Sequence, residues 1–124
     1  MPQQQTIILS GPMTGLPEYN RPAFHAAANA LRLRGHTVVN PAQTELPVGS
    51  TWGEYMGRCL EAMRLCDEAW REGRGPRPIL AQLPGWHHSR GAVLEYWMAT
   101  ICTWAIVDLA DLLAEGDGDD AHDA

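Results

Sequence analysis

The order of strand, helix and strand in the first third of the chain restricts its possible folds more than any other feature. Thr6–Ser10 is a short apolar run rich in β-branched residues that stops at Gly11-Pro12, as a buried strand entering a loop does. His36–Asn40 has the same character and follows Gly35, a residue type that commonly ends a helix. Two strands joined by a helix in this way form a βαβ unit, in which the strands are parallel and the crossover is right-handed. The sequence therefore predicts an α/β fold.

Helix signals occupy the segment between these strands and recur twice further on. Asn20 is placed to cap a first helix, and Thr51 and Glu54 have the spacing of a capping box that opens a second. Ser89 is placed to cap a third helix. The residues predicted to face the core recur at helical spacing: Phe24, Ala27, Ala28 and Leu31, then Met56, Leu60 and Met63 with Cys59 and Cys66, then Leu94, Trp97, Met98 and Ile101.

Two further strands and a short last helix complete the alternation. Strands are predicted at Ile79–Leu83 and Trp104–Val107, and a helix at Asp108–Leu113. This pattern predicts a small flavodoxin- or Rossmann-like three-layer sandwich with a parallel sheet of four to five strands. For a strand order 2-1-3-4, ligands bind at the carboxyl ends of the strands, between the first strand and the third.

Length and end composition indicate one domain followed by a tail. The 124 residues suffice for a single core, which we assign to residues 1–114. Residues 115–124 are rich in Gly and Asp and have no large apolar side chain, so they are predicted to form a disordered acidic tail.

Charge and cysteine content exclude several classes of function. Nine basic against 15 acidic residues give a net charge of −6, which disfavours binding to a nucleic acid backbone. Cys59, Cys66 and Cys102 lack metal-ligand spacing, so free thiols in a reducing cytoplasm are expected, with no metal or cofactor. No apolar stretch reaches about 18 residues, so a soluble protein without a membrane partner is expected.

The loop after the first strand is the first candidate binding segment. It consists of Ser10, Gly11, Pro12, Met13, Thr14 and Gly15. Its hydroxyls, its backbone N–H groups and the close approach that glycine permits suit a phosphate or a sugar. It lacks the glycine spacing of a dinucleotide fingerprint and the lysine of a P-loop. An ordinary strand-to-helix turn is the alternative.

The loop before the third helix is the second candidate. Ser89, Arg90 and Gly91 open that helix, where N–H groups and the helix dipole favour an anion; a simple serine cap beside a solvated arginine is the alternative. Glu95 lies two turns into this helix and points back toward the same end, although a paired or surface glutamate is the commoner case. Trp86 is a candidate to stack on a base, or is a core or interface residue. The adjacent His87 and His88 are expected at the rim.

Several short motifs together resemble a known family. They are Leu9–Gly15, Tyr19–Phe24, Gly35–Pro41, Leu83–Trp86, Ser89–Ala92 and Leu94-Glu95. Over residues 6–107 the chain resembles the DUF4406 group of phages and bacteria. That group is itself similar to nucleoside 2-deoxyribosyltransferases and 2′-deoxynucleoside 5′-phosphate N-hydrolases.

The resemblance implies an N-glycosidic-bond hydrolase or transferase acting on a nucleoside or deoxynucleoside 5′-monophosphate. Glu95 occupies the position of the relatives' nucleophile toward C1′, and Ser89 that of a serine that holds the 5′-phosphate. Asn40 lies in a matching motif and is included among the binding residues. The resemblance also implies a homodimer or higher homo-oligomer, for which the apolar third helix is a candidate interface.

The chain departs from the relatives at two positions. Ile8 stands where they carry a tyrosine, and Cys59 where they carry an acid; Glu61 is an uncertain substitute for that acid. A nucleotide-binding or sensing module without turnover is therefore the alternative function. A structural or interaction protein, suggested by the five tryptophans, is a third.

Overall fold

A four-stranded parallel sheet forms the centre of the fold. The structure, a computed structural model, describes residues 3–122, with side-chain surroundings for residues 3–115. The strands are β1 (Thr6–Ser10), β2 (Thr37–Val39), β3 (Pro78–Gln82) and β4 (Ala105–Asp108). They are all parallel in the order β2-β1-β3-β4, which confirms the predicted order. The chain is a small Rossmann-like α/β protein of three layers.

Four helices cover the two faces of the sheet. They are α1 (Arg21–Leu33), α2 (Trp52–Arg71), α3 (Arg90–Ile101) and α4 (Leu109–His122). Helices α1 and α4 pack on the face that carries Ile7 and Leu9, whereas α2 and α3 pack on the face that carries Ile8 and Leu80. Because successive side chains of a strand point to opposite faces, Ser10 follows Ile8 onto the α2 and α3 side.

Most predicted boundaries hold to within one or two residues. The capping box of Thr51 and Glu54 opens α2, and the Ser89 side chain caps α3. Asn20 precedes α1 but does not cap it, because its side-chain amide instead donates to the Pro12 carbonyl at 2.9 Å. The last helix begins one residue later than predicted and is longer, reaching His122.

The orientation predicted for α3 is largely wrong. Leu94, Trp97 and Ile101 are exposed rather than inward, and only Met98 of the four predicted residues packs against the core. The buried residues of α3 are Gly91, Ala92, Glu95 and Ala99. Small side chains therefore face the sheet, and the larger apolar ones lie on the outside.

The predicted acidic tail is the least described part of the chain. Residues 116–124 carry no described side-chain surroundings, and residues 123–124 lie outside the described part altogether. The disorder of residues 115–124 thus stays a prediction. Among the described residues, no helix combines the length and the apolar character that crossing a bilayer requires.

Candidate functional site

Two loops leave the carboxyl edge of the sheet side by side, after β1 and after β3. Ser10 and Gln82 are register partners at the ends of these strands, and the Leu83 N–H donates to the Ser10 carbonyl at 2.8 Å. A Cβ built on Gly11 would lie 2.7 Å from Leu83 Cβ, so only glycine fits at this approach. The strand order and this close approach put the first and third strand ends together, as the sequence predicted.

Glu95 is a buried carboxylate at this edge. Its residue is 6% exposed, and the fully buried Ser10 donates its hydroxyl to Glu95 Oε1 at 2.7 Å. Burial raises the pKa of Glu95 to about 7, while the hydrogen bond from Ser10 acts in the opposite direction. The carboxylate is therefore close to its midpoint of ionisation at neutral pH.

Glu95 lines a small cavity of about 50 Å³ between α2, α3 and the two loops. The lining residues are Gly11, Met13, Thr14, Pro41, Trp52, Tyr55, Met56, Cys59, Ser89, Gly91, Ala92 and Glu95. Ligand pockets for small molecules commonly have about 300 Å³ or more. A nucleotide would therefore extend beyond this cavity or require its walls to separate.

One wall comes from the start of α2, which the sequence analysis did not assign to the site. Trp52, Tyr55, Met56 and Cys59 have helical spacing and line the cavity together. Of these four residues, the family resemblance concerns Cys59 alone. The topology could have indicated this wall, because α2 begins in the connection after β2, at the same edge of the sheet as the two predicted loops.

Tyr55 ties this wall to the loops opposite. Its hydroxyl donates to the Pro41 carbonyl at 2.9 Å and lies 3.1 Å from Met13 Sδ. Burial raises the pKa of the Tyr55 hydroxyl far above its usual value and raises the pKa of the neighbouring Cys59 thiol to about 12. Both groups are consequently protonated at neutral pH.

The first turn of α3 closes against the first turns of α2. A Cβ built on Gly91 would lie 2.8 Å from Met56 Sδ, so this approach also favours glycine. The Arg90 guanidinium lies 4.3 Å from the centroid of the Trp52 ring, in a cation–π contact. Ser89 Oγ accepts from the Ala92 N–H at 3.2 Å and so caps the helix end that faces the cavity.

The structure brings together part of the predicted set of site residues. Gly11, Met13, Thr14, Ser89, Gly91 and Glu95 line the cavity, with Ser10 hydrogen-bonded to Glu95 and Arg90 stacked on the cavity-lining Trp52. Pro12, Gly15, Asn40 and Trp86 are not among the lining residues. The buried Asn40 accepts from the Ala42 N–H at 3.0 Å, and Trp86 stacks on Tyr96 at 5.0 Å between ring centroids.

Three other candidates lie away from the cavity. His87 and His88 line a separate, open groove of about 400 Å³ along α3, which Ser89 and Arg90 also border. Glu61 is exposed and paired with Arg64. Among the described residues, no group of three His, Cys, Asp or Glu side chains could hold a metal ion. The described residues that line the cavity therefore offer one carboxylate, three hydroxyl-bearing side chains, one thiol and helix-end N–H groups.

Comparison with known proteins assigns the chain to a family. The family model described as "Domain of unknown function (DUF4406)" matches residues 5–108, and the chain belongs to this family. None of the curated proteins compared with the chain matches it.

Proposed function

We propose that this protein is an N-glycosidic-bond hydrolase or transferase acting on a nucleoside or deoxynucleoside 5′-monophosphate, with Glu95 as nucleophile. The observation that carries the proposal is the Glu95 carboxylate, buried at the carboxyl edge of the sheet and held by Ser10 at 2.7 Å. A buried carboxylate with a raised pKa is costly to the fold, and such groups concentrate at functional sites. The resemblance to nucleoside 2-deoxyribosyltransferases supports the same assignment.

Ser10 fixes one oxygen of Glu95, which leaves the other for reaction. In the proposed step the Oε2 lone pair forms a bond to C1′, and the bond from C1′ to the base breaks with its electron pair on the base nitrogen. Water then attacks C1′, the ester bond to Glu95 breaks with its electron pair on the carboxylate, and the proton lost by water balances the charge of the departed base; in transfer, a second base takes the place of water. The hydrogen bond from Ser10 orients the carboxylate and stabilises it when it leaves.

The start of α3 is the proposed phosphate site. Its first-turn N–H groups point out of the helix end beside Ser89, where the helix dipole favours an anion. Arg90 lies at the same end, stacked on Trp52. Release of Arg90 from Trp52 would free a guanidinium to pair with the phosphate at this helix end.

The remaining expectations complete the proposal. We infer a small-molecule nucleotide as the partner, in a cytoplasmic protein without nucleic acid or membrane partners. The exposed apolar side chains on α3, which are Leu94, Trp97 and Ile101, support a homodimer or larger assembly. Free thiols at Cys59, Cys66 and Cys102 support a reducing compartment.

A non-catalytic nucleotide-binding module is the second candidate. The specific observation in its favour is that Tyr55 and Cys59 line the cavity with Glu95, and that Cys59 stands where the resemblance implies an acid. Both hold their protons tightly, so protonation of a departing neutral base is inefficient. Tight nucleotide binding by both the wild type and Glu95→Gln, with no product formed by either, selects this candidate.

The deciding experiment is base release followed by chromatography. Wild-type protein and Glu95→Ala are incubated with a panel of deoxynucleosides, deoxynucleoside monophosphates and ribonucleotides, and the free base is quantified. We expect release by the wild type to fall at least about 1,000-fold in Glu95→Ala, because nucleophilic catalysis is lost. Glu95→Gln, which preserves shape, separates loss of the nucleophile from loss of structure. Absence of release from every compound at high protein concentration contradicts the enzyme proposal.

A further inference from the structure

The described residues that line the cavity include the proposed nucleophile but no efficient proton donor. Of the described residues that line it, three have titratable side chains: Glu95, Tyr55 and Cys59. With Glu95 as the nucleophile of the proposed function, only Tyr55 and Cys59 could protonate the departing base. The chemistry of these two groups therefore bears on which bases can leave.

Neither group is suited to general acid catalysis. The Tyr55 hydroxyl already donates its proton to the Pro41 carbonyl at 2.9 Å. The pKa of Cys59 is raised to about 12 by burial, far above the working pH at which a general acid is effective. The carboxylate of Glu61, the substitute acid considered from the sequence, is exposed and bound to Arg64. A neutral base, whose nitrogen needs a proton to leave, is thus a poor substrate for this site.

The same cavity has features that favour a cation. The Trp52 ring lines it, and this ring already has a guanidinium, that of Arg90, 4.3 Å from its centroid. A cation over an indole face is attracted by the negative potential of the ring. The buried carboxylate of Glu95 lies in the same space, and no basic side chain is among the described residues that line it. A planar cationic ring stacked on the part of Trp52 that lines the cavity would compensate the negative charge of Glu95.

We propose that the substrate is an N-glycoside whose base carries a formal positive charge, such as a pyridinium or an N7-alkylated purine nucleotide. The inference rests on the proposed function and specifies its substrate class. Glu95 Oε2 forms a bond to C1′, the bond from C1′ to the ring nitrogen breaks, and its electron pair neutralises the ring. The base leaves uncharged, so the cavity supplies no proton to it. Water then attacks C1′, the ester bond to Glu95 breaks, and one proton is released to solvent per turnover.

The first test compares matched pairs of substrates that differ in ring charge. 7-Methylguanosine 5′-monophosphate is paired with GMP, and nicotinamide mononucleotide with its uncharged dihydro form, with 2′-deoxy versions of the purine pair. Base release is measured with the rate of Glu95→Ala subtracted. We expect kcat/KM to be at least about 100-fold higher for the cationic member, the usual size of a missing general acid. Proton release in weak buffer should equal base release.

The second test installs the missing acid. Cys59→Asp places an ionisable carboxyl group opposite Glu95, and Cys59→Asn is its uncharged match in shape. We expect Cys59→Asp to raise GMP or dGMP cleavage at least about tenfold over the wild type, and Cys59→Asn to give no such gain. Thermal unfolding establishes that both variants fold; if either does not, the wild-type substrate pairs decide alone.

The outcomes separate this inference from the function on which it rests. Glu95-dependent release from neutral and cationic members at similar kcat/KM overturns the inference and leaves the proposed function standing. Release from neutral members alone does the same. No Glu95-dependent release from any compound overturns both.

Discussion

Helices α1 and α3 lie on opposite faces of the same sheet and bury opposite kinds of side chain. Helix α1 packs Phe24, Ala27, Ala28 and Leu31 against the sheet and exposes Arg21, His25, Asn29 and Arg32. Helix α3 buries Gly91, Ala92, Glu95 and Ala99 and exposes Leu94, Trp97 and Ile101. The first arrangement removes large apolar surface from water, whereas the second places a carboxylate in the protein interior.

This difference separates stability from function in the two layers. Burial of large apolar side chains is favourable, so α1 stabilises the fold. Burial of a carboxylate is unfavourable, and α3 gains little in return because its large apolar side chains remain in solvent. The small residues of α3 instead bring its backbone close to the sheet, which is what allows Glu95 to reach Ser10.

The largest effect is expected on the α1 side. Phe24 is fully buried in the core that α1 shares with β1. Phe24→Ala should lower the free energy of unfolding by about 3–5 kcal/mol, from lost burial and the cavity left behind. Denaturation in urea measures this change. The matched control on α3 is Leu94→Ala, which removes a side chain that is 42% exposed and should cost less than about 1 kcal/mol. Equal losses of unfolding free energy in Phe24→Ala and Leu94→Ala would contradict the conclusion that α1 stabilises the fold more than α3 does.

The second prediction concerns the cost of the buried carboxylate. The pKa of Glu95 is about 7 in the folded chain against an ordinary value of 4.5. Below pH 4.5 the Glu95 carboxyl group is protonated in both the folded and the unfolded chain. Between pH 4.5 and 7 only the folded chain keeps this proton, so the stability that the neutral carboxyl group gives the folded chain is lost as the pH rises. The loss amounts to about 3 kcal/mol and is complete above pH 7.

Glu95→Gln isolates this contribution because it removes the ionisation and keeps the shape. The variant should gain stability relative to the wild type as the pH rises from 5 to 8, by about 3 kcal/mol, while losing any base release. Urea denaturation at a series of pH values gives the difference curve. A flat difference curve would mean that the pKa of Glu95 is unshifted and that α3 carries no penalty.

The third prediction concerns the hydrogen bond that joins the carboxylate to β1. Ser10→Ala removes the donor to Glu95 Oε1, so the pKa of Glu95 should rise further, and folding at pH 8 should lose about 1.5–3 kcal/mol. The pH at which activity is half-maximal should rise with that pKa. Ser89→Ala is the matched control: it removes the α3 cap at a cost of about 1 kcal/mol and should not move the titration of Glu95. Carboxyl NMR of both variants makes the comparison directly.

The features that the sequence revealed are local ones. The capping box at Thr51 and the cap at Ser89 depend on residues three positions apart, and the core face of α1 depends on contrast between apolar and polar residues at helical spacing. The alternation of elements and the right-handed crossover predict a parallel sheet, and the order 2-1-3-4 on which the site prediction depended is the one observed. Together these patterns in the sequence predict that Ser10 and Glu95 lie at the same edge of the sheet.

The features that it did not reveal depend on packing between distant elements. Helix α3 has apolar residues on every side, so periodicity does not distinguish its inner face from its outer one. This is why the inward orientation predicted for Leu94 and Trp97 was wrong. The wall formed by Trp52 and Tyr55 lies where α2 packs closely on α3, with Met56 against Gly91. Only the folded chain sets that distance, so helical spacing in α2 alone did not identify the wall.

The smallest effect is expected from the outer side of α3. Trp97→Gln and Ile101→Gln replace side chains that are 56% and 77% exposed, so within one subunit each should change the free energy of unfolding by no more than about 0.5 kcal/mol. If α3 is the interface of the proposed homo-oligomer, the same changes should shift the mass measured by light scattering toward a single subunit. Their effect on stability should then grow with protein concentration, because association stabilises the folded state by mass action. Leu33→Gln on α1, at a side chain that is 88% exposed, is the control, and it should alter neither quantity. If the α3 variants have the same mass as the wild type, self-association does not explain the exposed apolar side of α3. The role of the helix would then be to carry Glu95 and the small residues that face the sheet.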